Sequence, residues 1–334
     1  MTTSSSEATE SIFGSVPPLR AWLKTFVIGL CMGSADAVPG VSGGTIALIA
    51  GIYERLIAAI TAITPERAVR FLGALSPTGG GVSAREAVGV LEEVDVWFLL
   101  ALVGGIGTAI VIVARIVHVA SQETPVLLYG VLFGLIGASA VILLRELRIE
   151  TLVHALAAVV GFVVAFVLSG PASPLGTEGL AVVFLAGAVA VSAMILPGIS
   201  GSLLLVILGQ YERMSGALSD FVDALIGLVT GGPAPSLVDA GTLVVTFMLG
   251  GLVGLFTVSR LIRRALDANR GATLAFLVAL VVGALRAPIT ELSTRDGVTW
   301  TAETIGVFAA VAAVGAVLVL VVDWYAVDLD FEAV

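Results

Sequence analysis

Apolar residues fall in long runs along this chain, separated by short polar or Gly/Pro-rich stretches. Ten runs have about the 17 to 25 residues that a helix needs to cross hydrocarbon: 19–37, 44–63, 94–118, 125–144, 151–169, 179–196, 201–219, 237–260, 271–288 and 303–326. The pattern predicts an all-α polytopic membrane protein. Two connections are longer, Thr64 to Glu93 and Ser219 to Ser236, and their Gly, Pro and small polar residues read as surface loops. Met1 to Pro18 has no basic stretch followed by a short apolar run and a small-residue cleavage site, so it reads as a disordered polar tail. Residues 327–334 read as an acidic tail.

Superimposed on the runs is an internal repeat. Val38 to Leu56 reads VPGVSGGTIALIAGIYERL and Leu196 to Met214 reads LPGISGSLLLVILGQYERM, with nine of nineteen positions identical at an offset of 158 residues. A tandem duplication of a five-segment unit follows, with a first transmembrane repeat over 19–170 and a second over 178–326. If every segment crosses, each half crosses five times; if its first two segments form a broken, re-entrant hairpin, it crosses three times. Both counts are odd, so the halves are expected to be inverted relative to each other, an architecture of many secondary transporters.

Charge sharpens the picture. Of 334 residues, 58% are hydrophobic and 12% charged, against roughly 25% charged in a soluble domain, so a water-soluble globule is excluded. The net charge of −9 argues against a nucleic-acid partner. One cysteine, Cys31, rules out a disulfide framework, and with only His118 and His154 as histidines no metal centre or cofactor is expected. With the N-terminus in the cytoplasm, twelve basic residues (Arg20, Lys24, Arg55, Arg67, Arg70, Arg85, Arg145, Arg148, Arg260, Arg263, Arg264, Arg270) lie inside and four (Arg115, Arg213, Arg286, Arg295) outside. The positive-inside rule therefore favours a multi-pass protein of the cytoplasmic membrane with both termini cytoplasmic.

The chemistry lies in the repeated break. Pro-Gly-x-Ser-Gly interrupts backbone hydrogen bonding in an apolar run, which lipid tolerates only where the backbone lines a cavity. A helix follows each break, and its N-terminal N–H groups and dipole favour an anion. Pro39, Gly40, Ser42, Gly43 and Gly44 in the first copy, and Pro197, Gly198, Ser200, Gly201 and Ser202 in the second, form a candidate phosphate or carboxylate cradle. A kink or tight turn at the membrane edge is the structural alternative. Tyr-Glu-Arg follows each break: Arg55 and Arg213 could attract an anionic head group or serve as interfacial anchors, beside Glu54 and Glu212. Asp36, whose repeat counterpart is Met194, is either a coupling or gating residue, as are Glu54 and Glu212, or a cap on a broken helix. Arg286 and Ser139 are weaker cavity candidates, and His154 reads as a helix-end histidine.

The stretch GLCMGSADAVPGVSGGTIALIAGIYERLI, with LPGISGSLLLVILGQYERM and YGVLFGLIGAS (Tyr129 to Ser139), resembles the PopT family of polyprenyl-phosphate transporters over about residues 20 to 326. The resemblance implies a flippase that returns undecaprenyl phosphate, or a dolichyl-type phosphate, to the cytoplasmic leaflet, with inverted repeats and re-entrant helices. Membrane lipids surround such a chain, and the asymmetric Asp36 suggests a proton or sodium ion as coupling partner. A channel or ion-coupled carrier for a small soluble anion is a rival. An intramembrane serine protease using Gly40-Val41-Ser42-Gly43 would need His154 as partner, although the other half has Ala312 at the corresponding place. A lipid phosphatase would lack a histidine beside either motif.

Overall fold

The computed structural model describes residues 17–40, 42–75, 84–170, 179–194, 200–232, 235–295 and 297–332. All regular structure among them is helical, in fifteen helices. They are α1 (Leu19–Ala37), α2 (Gly43–Ile49), α3 (Tyr53–Thr61), α4 (Pro65–Leu75), α5 (Ala84–Glu93), α6 (Val96–Glu123), α7 (Pro125–Glu146), α8 (Leu152–Leu168), α9 (Leu180–Ala193), α10 (Gly201–Ile207), α11 (Tyr211–Thr230), α12 (Leu237–Ala268), α13 (Arg270–Ala284), α14 (Arg286–Ser293) and α15 (Ala302–Glu332).

Among the described residues, five helical stretches are long and apolar enough to cross a membrane: Val96–Glu123, Pro125–Arg145, Leu237–Ala268, Arg270–Ser293 and Ala302–Tyr325. The pair α2 and α3 is bent by 117° at its break, as a broken span or re-entrant loop would be. Ten apolar runs thus correspond to fewer full-length spans among the described residues: Gly-containing breaks interrupt the runs 44–63 and 201–219, the helices in 151–169 and 179–196 are short (Leu152–Leu168 and Leu180–Ala193), and α1 is not among the five. The connection Thr64 to Glu93, read above as a loop, contains α4 and α5. Their polar residues are periodic, and Arg67 and Arg70 join Glu93 at 2.9 Å each, so this hairpin is held by its outer face. The second connection is also largely helical, since α11 runs on to Thr230. The helix α15 continues through the expected acidic tail as far as Glu332.

Helix starts follow local chemistry. Thr151 accepts the His154 N–H at 3.3 Å, Ser236 that of Asp239 at 3.3 Å, and Asn269 that of Ala272 at 2.9 Å, satisfying first-turn donors that the helix leaves open. Large apolar side chains on α12 (Val245, Leu249, Leu252, Phe256) and on α15 (Val314, Leu318, Val321) are exposed, as a lipid-facing surface requires.

The chain forms two compact units, Met1–Gly33 with Ile46–Ala109, and Ser34–Thr45 with Ile110–Val334. In the first, Met32, Ala47, Ala59, Phe98 and Leu102 form the core. There α1 meets α6 at glycines: a Cβ on Gly29 would strike the Leu102 carbonyl, and one on Gly105 the Phe26 carbonyl. In the second unit, α9 meets α12 the same way, Gly187 against the Phe247 carbonyl and Gly250 against the Phe184 carbonyl. Small residues let these backbones approach closely where lipid offers no hydrophobic drive to association. Also in the second unit, α7 packs along α15 and α8 along α13, around a core that includes Leu132, Ile136, Leu203, Ile207 and Leu292.

Candidate functional site

The second unit contains the first break. The helix α1 ends at Ala37, and Asp36 Oδ1 accepts the Gly43 N–H at 2.7 Å, capping α2 across the break. A Cβ at position 43 would strike the Asp36 carboxylate, so a larger residue there would displace the cap. Pro39 is fully buried. Gly40 has φ +104°, and the Ser139 hydroxyl lies 2.8 Å from both the Gly40 and Leu135 carbonyls, able to donate to one at a time. Gly40, Ser42, Thr45, Ser139 and Asp323 help line a cavity of about 110 Å³. Beside Gly44 the nearest side-chain atom is the Ser42 hydroxyl.

Pro197 and Gly198 of the second break lie outside the described residues. After them, the hydroxyls of Ser200 and Ser202 are 2.6 Å apart, and both residues are buried. Gly201 sits against the Ala190 carbonyl and Met194, so a thioether here replaces the carboxylate that Asp36 supplies in the first copy. Gly201 and Ser202 share a largely apolar cavity of about 200 Å³ with Asp36, Met194 and Tyr211. The Tyr211 hydroxyl donates to the Ala37 carbonyl at 2.9 Å. The end of α1 and the start of α10 are therefore brought to one cavity, while Gly40 and Ser42 face another.

Beyond Tyr211 opens a third and larger cavity of about 640 Å³, lined among others by His118, Tyr129, Tyr211, Glu212, Arg213 and Glu291. Arg213 Nη1 donates to Gln210 Oε1 at 3.5 Å, and Gln210 is fully buried. Glu212 accepts the Tyr129 hydroxyl at 2.6 Å and pairs with Arg295. The Arg295 guanidinium also donates to the Ser121 carbonyl and, at 3.2 Å, to the Tyr129 hydroxyl. The first Tyr-Glu-Arg is arranged differently within its own unit. Tyr53 and Glu54 are exposed there, and Arg55 pairs with Asp95 at 2.6 and 3.0 Å while lying 4.2 Å over the Phe98 ring.

The family described as undecaprenyl phosphate translocase-like matches residues 32–318. The chain belongs to that family. It is 34% identical over 266 residues to a protein of Vibrio cholerae named polyprenyl-phosphate transporter, covering 79% of this chain and 76% of that one. It is 28% identical over 279 residues to a protein of the same name from Staphylococcus aureus, covering 80% and 86%. No solved structure matches.

In this family member, Tyr129, Glu291 and Arg295 join the site without having been singled out in the sequence. Tyr129 opens the YGVLFGLIGAS run, and Glu291 and Arg295 are one helical turn apart, a signal too ordinary to mark them. Arg286 donates to the Phe166 carbonyl at 2.7 Å and lies 4.1 Å over the Phe166 ring, so it closes the end of α8. His154 accepts the Glu150 N–H through Nδ1 at 3.4 Å, at the start of the same helix.

Proposed function

We propose that this chain is a flippase that moves a polyprenyl phosphate, undecaprenyl phosphate or a dolichyl-type phosphate, to the inner leaflet of the cytoplasmic membrane for recycling. The observation that carries the reading is the place of Tyr211. It lines both the wide polar cavity and the apolar cavity between the end of α1 and the start of α10. A lipid phosphate needs such a sequence of environments. Its head group must leave water, which is costly unless amides, hydroxyls or guanidinium replace the lost hydrogen bonds, while its tail stays in an apolar one. In this reading the head group meets Arg213, passes Tyr211, is held first by Ser200, Gly201 and Ser202, and reaches the first motif, Pro39 to Gly44, whose Gly40 and Ser42 line a separate cavity, as a later station. Asp36 and Glu212 act as gates, since each must release a partner, the Gly43 N–H or Arg295, as the phosphate goes by.

The proposed frame is a pair of inverted five-segment repeats with re-entrant hairpins, N- and C-termini cytoplasmic. Three recurrences support the duplication on which that frame rests. The helices α2 and α10 occupy the same register of the repeat. Gly51 and Gly209, 158 residues apart, make the same left-handed turn, φ +66° and +63°. The Gly29 to Leu102 contact recurs as Gly187 to Phe247. Translocation makes and breaks no covalent bond, so the chain acts as a carrier, driven by a proton or sodium gradient.

The test is the polyprenyl phosphate exposed on the outer face of cells with and without the protein, all other flippases being absent. Accumulation on deletion, reversed by wild type and weakly by Arg213→Ala, is expected. No change on deletion, or transport of inorganic phosphate in its place, would overturn the reading.

A further inference from the structure

We infer that Glu291 is the group that carries the coupling proton, an inference that rests on the carrier-lipid reading above. Glu291 stands on α14, which is anchored by the fully buried Pro288 and Leu292. Its carboxylate reaches over the bend of the second hairpin, with Oε1 3.9 Å from where a Cβ of Gly209 would be. Gly209 has positive φ and links α10 to α11. Glu291 therefore faces the wide cavity at the one turn about which the hairpin would reorient.

Its surroundings are charged on every side. From α11 come Glu212, Arg213 and Asp220, from α7 Tyr129, from α6 His118, and from α12 Asp239; all of these line the cavity. Behind Glu212 stands Arg295, whose guanidinium is taken up by Glu212, Tyr129 and the Ser121 carbonyl. Among the described residues, no side chain donates a hydrogen bond to the Glu291 carboxylate or forms a salt bridge with it; the charges that act on it are those of Glu212 and, more distantly than a salt bridge, Arg295.

Charge balance then dictates the event. An entering phosphate monoanion joins the carboxylates of Glu212, Glu291, Asp220 and Asp239 against two guanidinium groups, Arg213 and Arg295. Negative charge is then in surplus along the cavity, and is most expensive where the dielectric is low. A proton from the outer water, bound to the Glu291 carboxylate to give the neutral acid, reduces that surplus by one charge. The neutral acid and the lipid phosphate then move together, and the proton leaves to the cytoplasmic water when the phosphate does. Lipid uptake is thereby tied to an inward proton gradient. Glu212 does not serve this role, because Arg295 and Tyr129 hold it as the ion.

The experiment uses the full chain in zwitterionic phospholipid vesicles with a fluorescent short-chain polyprenyl phosphate added to the outer leaflet. The readout is the inner-to-outer ratio of the lipid after chemical quenching of the outside. With the outside two pH units more acidic than the inside, one coupled proton can raise that ratio by up to about a hundredfold, and collapsing the gradient with an ionophore should return it to equality. Glu291→Gln should reach equality and go no further, with an unchanged melting profile, and Glu291→Asp should regain concentration against equality. Gradient-driven accumulation by Glu291→Gln equal to wild type, or accumulation in wild type driven by sodium alone, would overturn the proton role and leave the carrier reading standing. A wild type that moves no lipid phosphate would overturn both.

Discussion

The Tyr211 hydroxyl donates to the Ala37 carbonyl across 2.9 Å, so the residue that opens α11 satisfies the last carbonyl of α1, 174 residues away. A helix leaves its final carbonyls without internal partners, and a buried one loses about 1–3 kcal/mol when its donor is removed. Tyr211→Phe should therefore lower the thermal midpoint of the protein in detergent. It should also loosen the partition between the two cavities, seen as faster passive lipid exchange. An unchanged midpoint and exchange rate would mean that water replaces the phenol.

Asp36 caps α2 through the Gly43 N–H. Asp36→Ala removes the cap and should cost about 1 kcal/mol of stability, whereas Asp36→Asn retains an acceptor oxygen and most of the stability. Transport by the two variants separates the roles. If Asp36→Asn transports as wild type, the carboxylate acts as a cap alone; if it loses transport while keeping its midpoint, the charge itself gates the head group.

The α7 and α15 pair depends on Gly134, where an added methyl group would run into the Ala312 carbonyl. Gly134→Ala should destabilise by about 1–3 kcal/mol through forced separation of the helices. Gly306, on the same α15, has open space around it, and Gly306→Ala should be neutral within about 1 kcal/mol. Equal unfolding midpoints for the two variants would contradict the close packing.

Arg295 gathers Glu212, Tyr129 and the Ser121 carbonyl at once. Arg295→Ala leaves a half-buried carboxylate without its cation and should cost about 1–3 kcal/mol, with a larger loss of transport. Arg295→Lys should rescue only partly, because one ammonium cannot reproduce the planar fork that reaches three acceptors. Full rescue by lysine would show that charge alone is needed.

The pH response of the α4–α5 hairpin follows from Glu93. The Arg70 and Arg67 side chains, donating to its carboxylate, hold the Glu93 carboxyl below the usual carboxylate range. A folded value below the unfolded one gives a contribution that is present above the unfolded value and is lost as pH falls through the folded one. The protection of amides in residues 65–75 and 84–93, taken relative to the intrinsic exchange rate at each pH, should thus fall on acidification toward pH 3 and stay constant between pH 6 and 8. Glu93→Gln should abolish that response.

Much of this fold is legible from single residues and their spacing. Runs such as 125–144 and 303–326 name α7 and α15, because in hydrocarbon a long apolar run has no other way to satisfy its backbone. The repeat marks α2 and α10, and the glycines 158 residues apart mark their shared turn. The connection Thr64 to Glu93 was less legible: its glycines and prolines signal turns, and the amphipathic helices between them depend on Arg67, Arg70 and Glu93 meeting across 26 and 23 residues.

The candidate site divides in the same way. The motif residues Gly40, Ser42, Ser200 and Ser202 are readable because backbone conformation and hydroxyl chemistry are local. A cap on a broken helix is one of the two readings of Asp36, and Asp36 meets the Gly43 N–H; the partner of Arg55 was not readable, since it meets Asp95, 40 residues on. By itself the sequence determined that this is a helical membrane protein with two related broken helices and few charges, since hydropathy and dihedral preference belong to each segment alone. Only the tertiary structure decided which charges meet. Helix packing places Tyr129, Glu212 and Arg295 together from separations of 83 and 166 residues and leaves Glu291 near them outside their hydrogen bonds, because those distances depend on how helices cross and not on what any one helix contains.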